Sequence, residues 1–189
     1  MSNYQNAQTF SNEDYGKTVF GKKTYEQCKF VSCNFVETDL SSTEFIGCTF
    51  DSCNMALIKL ANAGLKTVVF SNCKLIGVDF NQCADFLFNV RFNRCLLDYS
   101  SFMRKKMRKT LFNECSMIET NFSDCDLSEA VFDMCNMSGT IFSKTNLGKA
   151  NFYTSQHYSI DPTNNIVKKA VFSVNGVIGL LHKFDIVIE

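Results

Sequence analysis

Large apolar residues recur at every fifth position along most of this chain. From Phe10 the steps land on Tyr15, Phe20, Tyr25, Phe30, Phe35, Leu40, Phe45, Phe50, Met55, Leu60, Leu65, Phe70, Leu75 and Phe80. The phase then slips by two residues. It resumes from Leu87 and runs through Phe92, Leu97, Phe102, Met107, Phe112, Met117, Phe122, Leu127, Phe132, Met137, Phe142, Leu147 and Phe152. Two positions before most of these large residues sits a smaller one, such as Cys28, Cys33, Thr38, Thr43, Ala63, Cys95, Thr110 or Ala150. A five-residue period fits neither an amphipathic helix nor a lone amphipathic strand. It suits a chain that turns a corner every five residues, with the large side chain filling the interior and the small one beside it. Four such steps make a square coil of 20 residues. Coils stacked in parallel about 4.8 Å apart are predicted, and about seven of them make a rod about 34 Å long.

Segments such as Cys33-Asn34-Phe35, Thr38-Asp39-Leu40, Cys125-Asp126-Leu127 and Ala150-Asn151-Phe152 carry a resemblance to the pentapeptide-repeat family. It covers about residues 10–152. The resemblance implies an all-β fold, a right-handed quadrilateral parallel β-helix.

The repeat accounts for the unusual composition. Fifteen of the 19 Phe lie on the large ladder, and all ten Cys lie on the small one. Packing therefore places the cysteines, and metal or disulfide chemistry does not. No Cys-x-x-Cys pair is present. Cysteines twenty apart, such as Cys28 and Cys48, stack with parallel side chains, which disfavours a bond. No glycine-rich phosphate loop and no Ser/His/Asp arrangement stands out. The reading is of a non-enzyme without metal, cofactor or small-molecule substrate. Net charge is zero, so nothing overall announces a nucleic-acid partner. No apolar run reaches the ~18 residues of a membrane helix, and the polar MSNYQNAQTF start is unlike a signal peptide. A cytoplasmic protein without membrane contact is expected.

Two interruptions change the picture. The slip around Ala84-Asp85-Phe86-Leu87-Phe88 predicts a bulge, either merely tolerated or shaping a binding surface. The second is Met103-Arg104-Lys105-Lys106-Met107-Arg108-Lys109, where Lys105 falls in an inward small-residue slot. Burying an unpaired ammonium is costly, so a local protrusion is expected over residues 103–111. The run reads as a solvated face or as a contact for an acidic partner, DNA included. Its candidate contact residues are Arg104, Lys105, Lys106, Arg108 and Lys109, with Glu114, Glu119, Asp124, Asp126 and Glu129 downstream. Those carboxylates fall on successive walls, a collar more than a stripe.

The chain divides into a tail at 1–9, the β-helix at 10–172 and a cap at 173–189. Tyr158 to Asn165 reads as a turn, and Phe172 falls back in phase with Phe152. Ser173 to Phe184 reads as a short helix capped by Ser173, and 185–189 as a strand. This tail covers the end of the solenoid, or meets its copy in a homodimer through Val174, Val177, Ile178, Leu181, Phe184, Ile186 and Ile188.

Thr43 to Phe50, Ser101-Phe102-Met103 and the helix-then-Ile-rich end resemble the Qnr-type branch of the family. Residues 103–111 occupy the place of that branch's second projecting loop. The resemblance implies a dimer joined by its C-terminal tails that binds a type II topoisomerase (DNA gyrase) as a DNA-shaped rod and protects it from quinolones. A generic protein-interaction scaffold remains the alternative.

Overall fold

The structure, a computed structural model, describes residues 3–187. The chain winds as a four-sided parallel solenoid, each coil hydrogen-bonded to the next at an offset of 20 residues, as in Phe30↔Phe50 and Phe112↔Phe132. Across the slip the offset is 22, as in Phe70↔Phe92. The four walls take their names here from chain order. The first centres on Phe10, Phe30 and Phe50, the second on Tyr15 and Phe35, the third on Phe20 and Leu40, and the fourth on Tyr25 and Phe45. A seven-stranded sheet runs along the first wall from Thr9–Ser11 to Val131–Asp133. A four-stranded sheet covers the early fourth wall, from Tyr4–Asn6 to Gly64–Lys66. Isolated bridges continue the walls elsewhere.

The large ladder fills the interior. Phe10, Phe30, Phe50, Phe70, Phe92, Phe112, Phe132, Phe152 and Phe172 form one column, neighbouring rings lying 4.7–5.4 Å apart and near parallel. Rings of opposite walls meet edge to face across the interior, as Phe92 and Phe102 do at 77°. Both geometries suit the ring quadrupole. The column has nine levels, so the rod exceeds the predicted seven coils and is about 38 Å long by strand spacing.

The small ladder has a second duty besides fitting. Ser100 Oγ donates to Leu75 O at 2.7 Å, Thr120 Oγ1 to Leu97 O at 2.8 Å, and Cys73 Sγ to Phe50 O at 3.4 Å. These slots thus supply a donor to a carbonyl of the coil before, which is why Cys, Ser and Thr interchange there. All ten cysteines are free and buried. Burial pushes the Cys48 thiol up to about 11 and Cys125 to about 12, so they stand as neutral donors.

Corners are made by left-handed residues. Glu37, Ser42, Ser52, Leu57 and Asn62 all have φ of 55–58°. This conformation strains non-glycine residues. The corner N–H repays part of that by joining the next coil, as Glu37 N does with Ala56 O at 3.0 Å.

Several expectations need correction. The stack begins before residue 10: Tyr4–Asn6 already pairs with Thr24–Glu26, so no separate 1–9 tail exists among the described residues. Leu87 does not resume the interior ladder; it is exposed, and Phe88 packs against the core instead. Residues 103–111 do not protrude. They follow the coil, with Met107 N bonded to Asp126 O and Leu111–Asn113 in the first-wall sheet.

The C-terminal helix is also absent as such. Gly176–Leu180 and His182–Phe184 are two short 3₁₀ turns, and 185–187 form no strand. The reason lies in Gly176 and Gly179. A Cβ on Gly179 would sit 2.3 Å from Tyr158 O, and one on Gly176 2.1 Å from the Tyr158 hydroxyl. These glycines let the segment press onto the last coil, where Ile160 N donates to Gly179 O at 2.9 Å. The Ser173 hydroxyl accepts Gly176 N–H at 3.0 Å, but it is not the expected cap: the residue before the 3₁₀ turn is Asn175, whose side chain makes no capping bond. Phe172 closes the first-wall column as predicted.

Candidate recognition wall

Both interruptions of the repeat come to the surface on the fourth wall. At the slip, Ala84 N bonds Ala63 O and Asn89 N bonds Leu65 O, each at 2.9 Å. The extra residues between them loop outward. Phe86 and Leu87 are 71% and 63% exposed. Beside them Lys66 Nζ lies 5.3 Å from the Phe86 ring centre and 2.6 Å from Glu44 Oε2. Gly64 keeps the wall open for that carboxylate, since a Cβ there would lie 2.5 Å from it.

Lys105 closes the inner side of the same bulge. Its side chain is 2% exposed. Nζ donates to Cys83 O and to Asp85 Oδ1, both at 2.6 Å, and lies 5.2 Å from the Phe88 ring centre. The ammonium is therefore paired, and this removes the reason for a protrusion. Lys105 fills the slot that Ser100 and Thr120 fill elsewhere, with a longer arm that reaches into the displaced coil. It is not a surface contact, contrary to its place among the candidate partner residues.

Lys106, Arg108 and Lys109 are exposed on the fourth wall in the next coil. Arg108 donates from Nε to Glu129 Oε1 at 3.1 Å and also binds it through Nη2, while Lys109 Nζ lies 3.7 Å from Glu129 Oε2. Arg108 above all holds the Glu129 carboxyl below its usual range. Asp126 bridges Lys106 and Asn146 on this wall. Arg104 projects at the preceding corner. Glu114, Glu119, Asp124 and Glu129 all adopt left-handed corner conformations, φ 51–59°, and so form a collar around one coil.

The wall continues past these residues. Lys149, Ile166, Lys168 and Lys169 share a surface groove with Arg108 and Glu129, of about 410 Å³. Sequence reasoning passed over these three lysines. They lie outside the basic run, and only the 20-residue stacking gathers them with it.

The cap offers a second apolar surface. Val174, Val177, Ile178, Phe184 and Ile186 are exposed, at 88%, 42%, 45%, 48% and 54%. Leu181 is partly buried, and Ile188 lies outside the described residues. A groove of about 460 Å³ between cap and last coil contains both His157 and His182, so the filled interior does not leave a smooth exterior. Among the described residues no three His, Cys, Asp or Glu side chains gather in a metal-binding group. Among them, too, no helix is long and apolar enough to cross a membrane.

A filled four-sided parallel solenoid wound in 20-residue coils defines the class of this protein. The chain belongs to the pentapeptide-repeat family. The profile described as "Pentapeptide repeat region" matches residues 23–102, and "Pentapeptide repeats (8 copies)" matches residues 106–144 and 120–155. Among solved structures it is similar to a trypsin-treated variant of QnrB1, a plasmid-mediated fluoroquinolone resistance protein, at 17% identity and a TM-score of 0.49, covering 98% of this chain and 100% of that one. It is also similar to HetL, a pentapeptide-repeat protein involved in heterocyst differentiation regulation from the cyanobacterium Nostoc, at 12% identity and a TM-score of 0.32, covering 90% and 89%. No curated protein sequence gives a significant match.

Proposed function

We propose that this chain is a non-enzymatic interaction scaffold, a dimer joined at its C-terminal caps, that presents its fourth wall to a macromolecular partner. One observation carries the reading: the bulge with exposed Phe86 and Leu87 and the basic segment at Lys106, Arg108 and Lys109 emerge on the same wall. Lys105 ties the two interruptions together on the inner side of the wall, and the exposed side chains of both face outward from it. Exposed aromatic and arginine side chains, here Phe86 and Arg108, are enriched at contact surfaces.

A narrower reading makes the partner a type II topoisomerase, with the rod as a DNA-shaped ligand and quinolone protection as the outcome. The sequence resemblance of Thr43 to Phe50 and the rod's length of about 38 Å favour it. Charge opposes it. A surrogate for DNA presents a continuous negative wall, whereas here the downstream carboxylates sit at four different corners and the fourth wall is basic.

A gyrase supercoiling assay with and without ciprofloxacin separates the two. Wild type is compared with Phe86→Ser/Leu87→Ser, which alters only exposed side chains. Unchanged supercoiling and drug sensitivity over a broad concentration range removes the topoisomerase. An effect that the double variant keeps in full removes the bulge from the contact.

A further inference from the structure

The fourth wall carries cations in excess of their partners. Arg108 and Lys109 share the single carboxylate of Glu129. Two and three coils further along, Lys149, Lys168 and Lys169 have no ion pair among the described residues. All three are exposed, and all three line the groove of about 410 Å³. Ile166 lines the same groove and is 59% exposed. Lysine stems add further apolar lining under the charged tips.

We infer that this groove binds an acidic segment of a protein partner, one that carries an apolar side chain beside its carboxylates to cover Ile166. This deepens the proposed wall recognition and rests on it. Unpaired ammonium groups in a cluster attract carboxylates and orient them. A neighbouring exposed Ile gains from an apolar cover. A nucleic-acid duplex meets only half of this. It satisfies the lysines, but it brings phosphates toward Glu129 and leaves Ile166 facing a charged backbone.

Fluorescence anisotropy with three labelled probes tests the assignment on the full chain: the peptide Asp-Glu-Leu-Glu-Asp, the same peptide with Ser for Leu, and a short DNA duplex. The Leu peptide is expected to bind saturably and to weaken with added salt. Lys149→Glu/Lys168→Glu/Lys169→Glu is expected to lower its affinity about tenfold or more. Ile166→Ser is expected to erase the advantage of Leu over Ser while leaving the Ser peptide unchanged. All four positions are exposed, and unchanged thermal melts confirm that the variants fold.

The inference is overturned if the Leu peptide does not bind, if the lysine variant binds it as well as wild type, or if the duplex binds as tightly with the same sensitivity to the variants. Phe86→Ser/Leu87→Ser lies outside the groove and keeps the two readings apart. If that pair abolishes the effect on gyrase supercoiling while the peptide result is negative, the wall reading stands and only the acidic segment falls.

Discussion

Lys105 sits in the coil after Cys83 and donates to its backbone carbonyl at 2.6 Å. At regular levels the carbonyl of the small-ladder residue accepts a backbone N–H from the next coil, as Val78 O does from Ser101 N and Ser100 O from Asn121 N. At Cys83 the lysine ammonium is a donor to that carbonyl instead. The two departures from the repeat are one joint: the bulge displaces the chain, and the long side chain satisfies the carbonyl at its edge.

The joint predicts a coupled mutational cycle. Lys105→Ala orphans a buried carbonyl and is expected to cost about 1–3 kcal/mol. Deleting Phe86 and Leu87 restores the regular coil length but leaves a lysine where a short donor belongs. Combined with Lys105→Thr, the deletion is expected to destabilise by less than the two single changes together, measured by urea unfolding. Additive losses would refute the joint. Asp85→Asn is expected to matter less, because the Asp85 side chain is 84% exposed.

Alkali is expected to weaken the fold through the thiols. Burial raises Cys48 to about 11 and Cys83 and Cys125 to about 12, from the ordinary 9.0. Folded groups then hold protons that unfolded ones have lost. The stabilisation is complete below the unfolded value near 9 and is lost as pH climbs toward 11–12. Denaturant midpoints should therefore be flat with respect to these groups up to about pH 8 and fall above about pH 9. Under native conditions at neutral pH, Ellman's reagent is expected to label none of the ten cysteines, and all ten after unfolding. Rapid native labelling would contradict the packing.

The cap depends on glycine. Gly179→Ala places a methyl 2.3 Å from the Tyr158 carbonyl oxygen, and backbone cannot yield as a side chain would. A loss of about 1–3 kcal/mol is expected, with proteolysis beginning in residues 173–187. Gly21→Ala meets nothing within 4 Å, so only its corner conformation, φ 69°, opposes the change. A smaller loss there is the internal control.

Dimerisation has a specific test. Ile178 is 45% exposed on the cap, so Ile178→Asp is expected to convert a dimer to a folded monomer by light scattering. This variant is cleaner than removing the cap, which would also uncover Tyr158 and Phe172. A monomeric wild type ends the dimer proposal.

What the sequence made legible follows from what repeats. The column Phe92, Phe112, Phe132 could be read from spacing because stacking demands the same residue size at the same phase. The corner collar of Glu114, Glu119, Asp124 and Glu129 was legible for the same reason. The inward place of Lys105 was legible too, but its pairing was not, because its partners Cys83 and Asp85 belong to the coil before it. The groove at Lys149, Lys168 and Lys169 escaped notice likewise. The end defeated a helical reading because Gly176 and Gly179 answer to Tyr158 and not to helix propensity.

In a rod where each coil touches only its neighbours, cooperativity has no route around a damaged level. The Lys105 joint is the irregular fourth wall of the level that links the N-terminal and C-terminal blocks of coils, a level the other three walls cross by regular pairing. How firmly it holds decides whether the protein melts as one body or as two, and amide exchange on either side of residues 84–88 reads that directly.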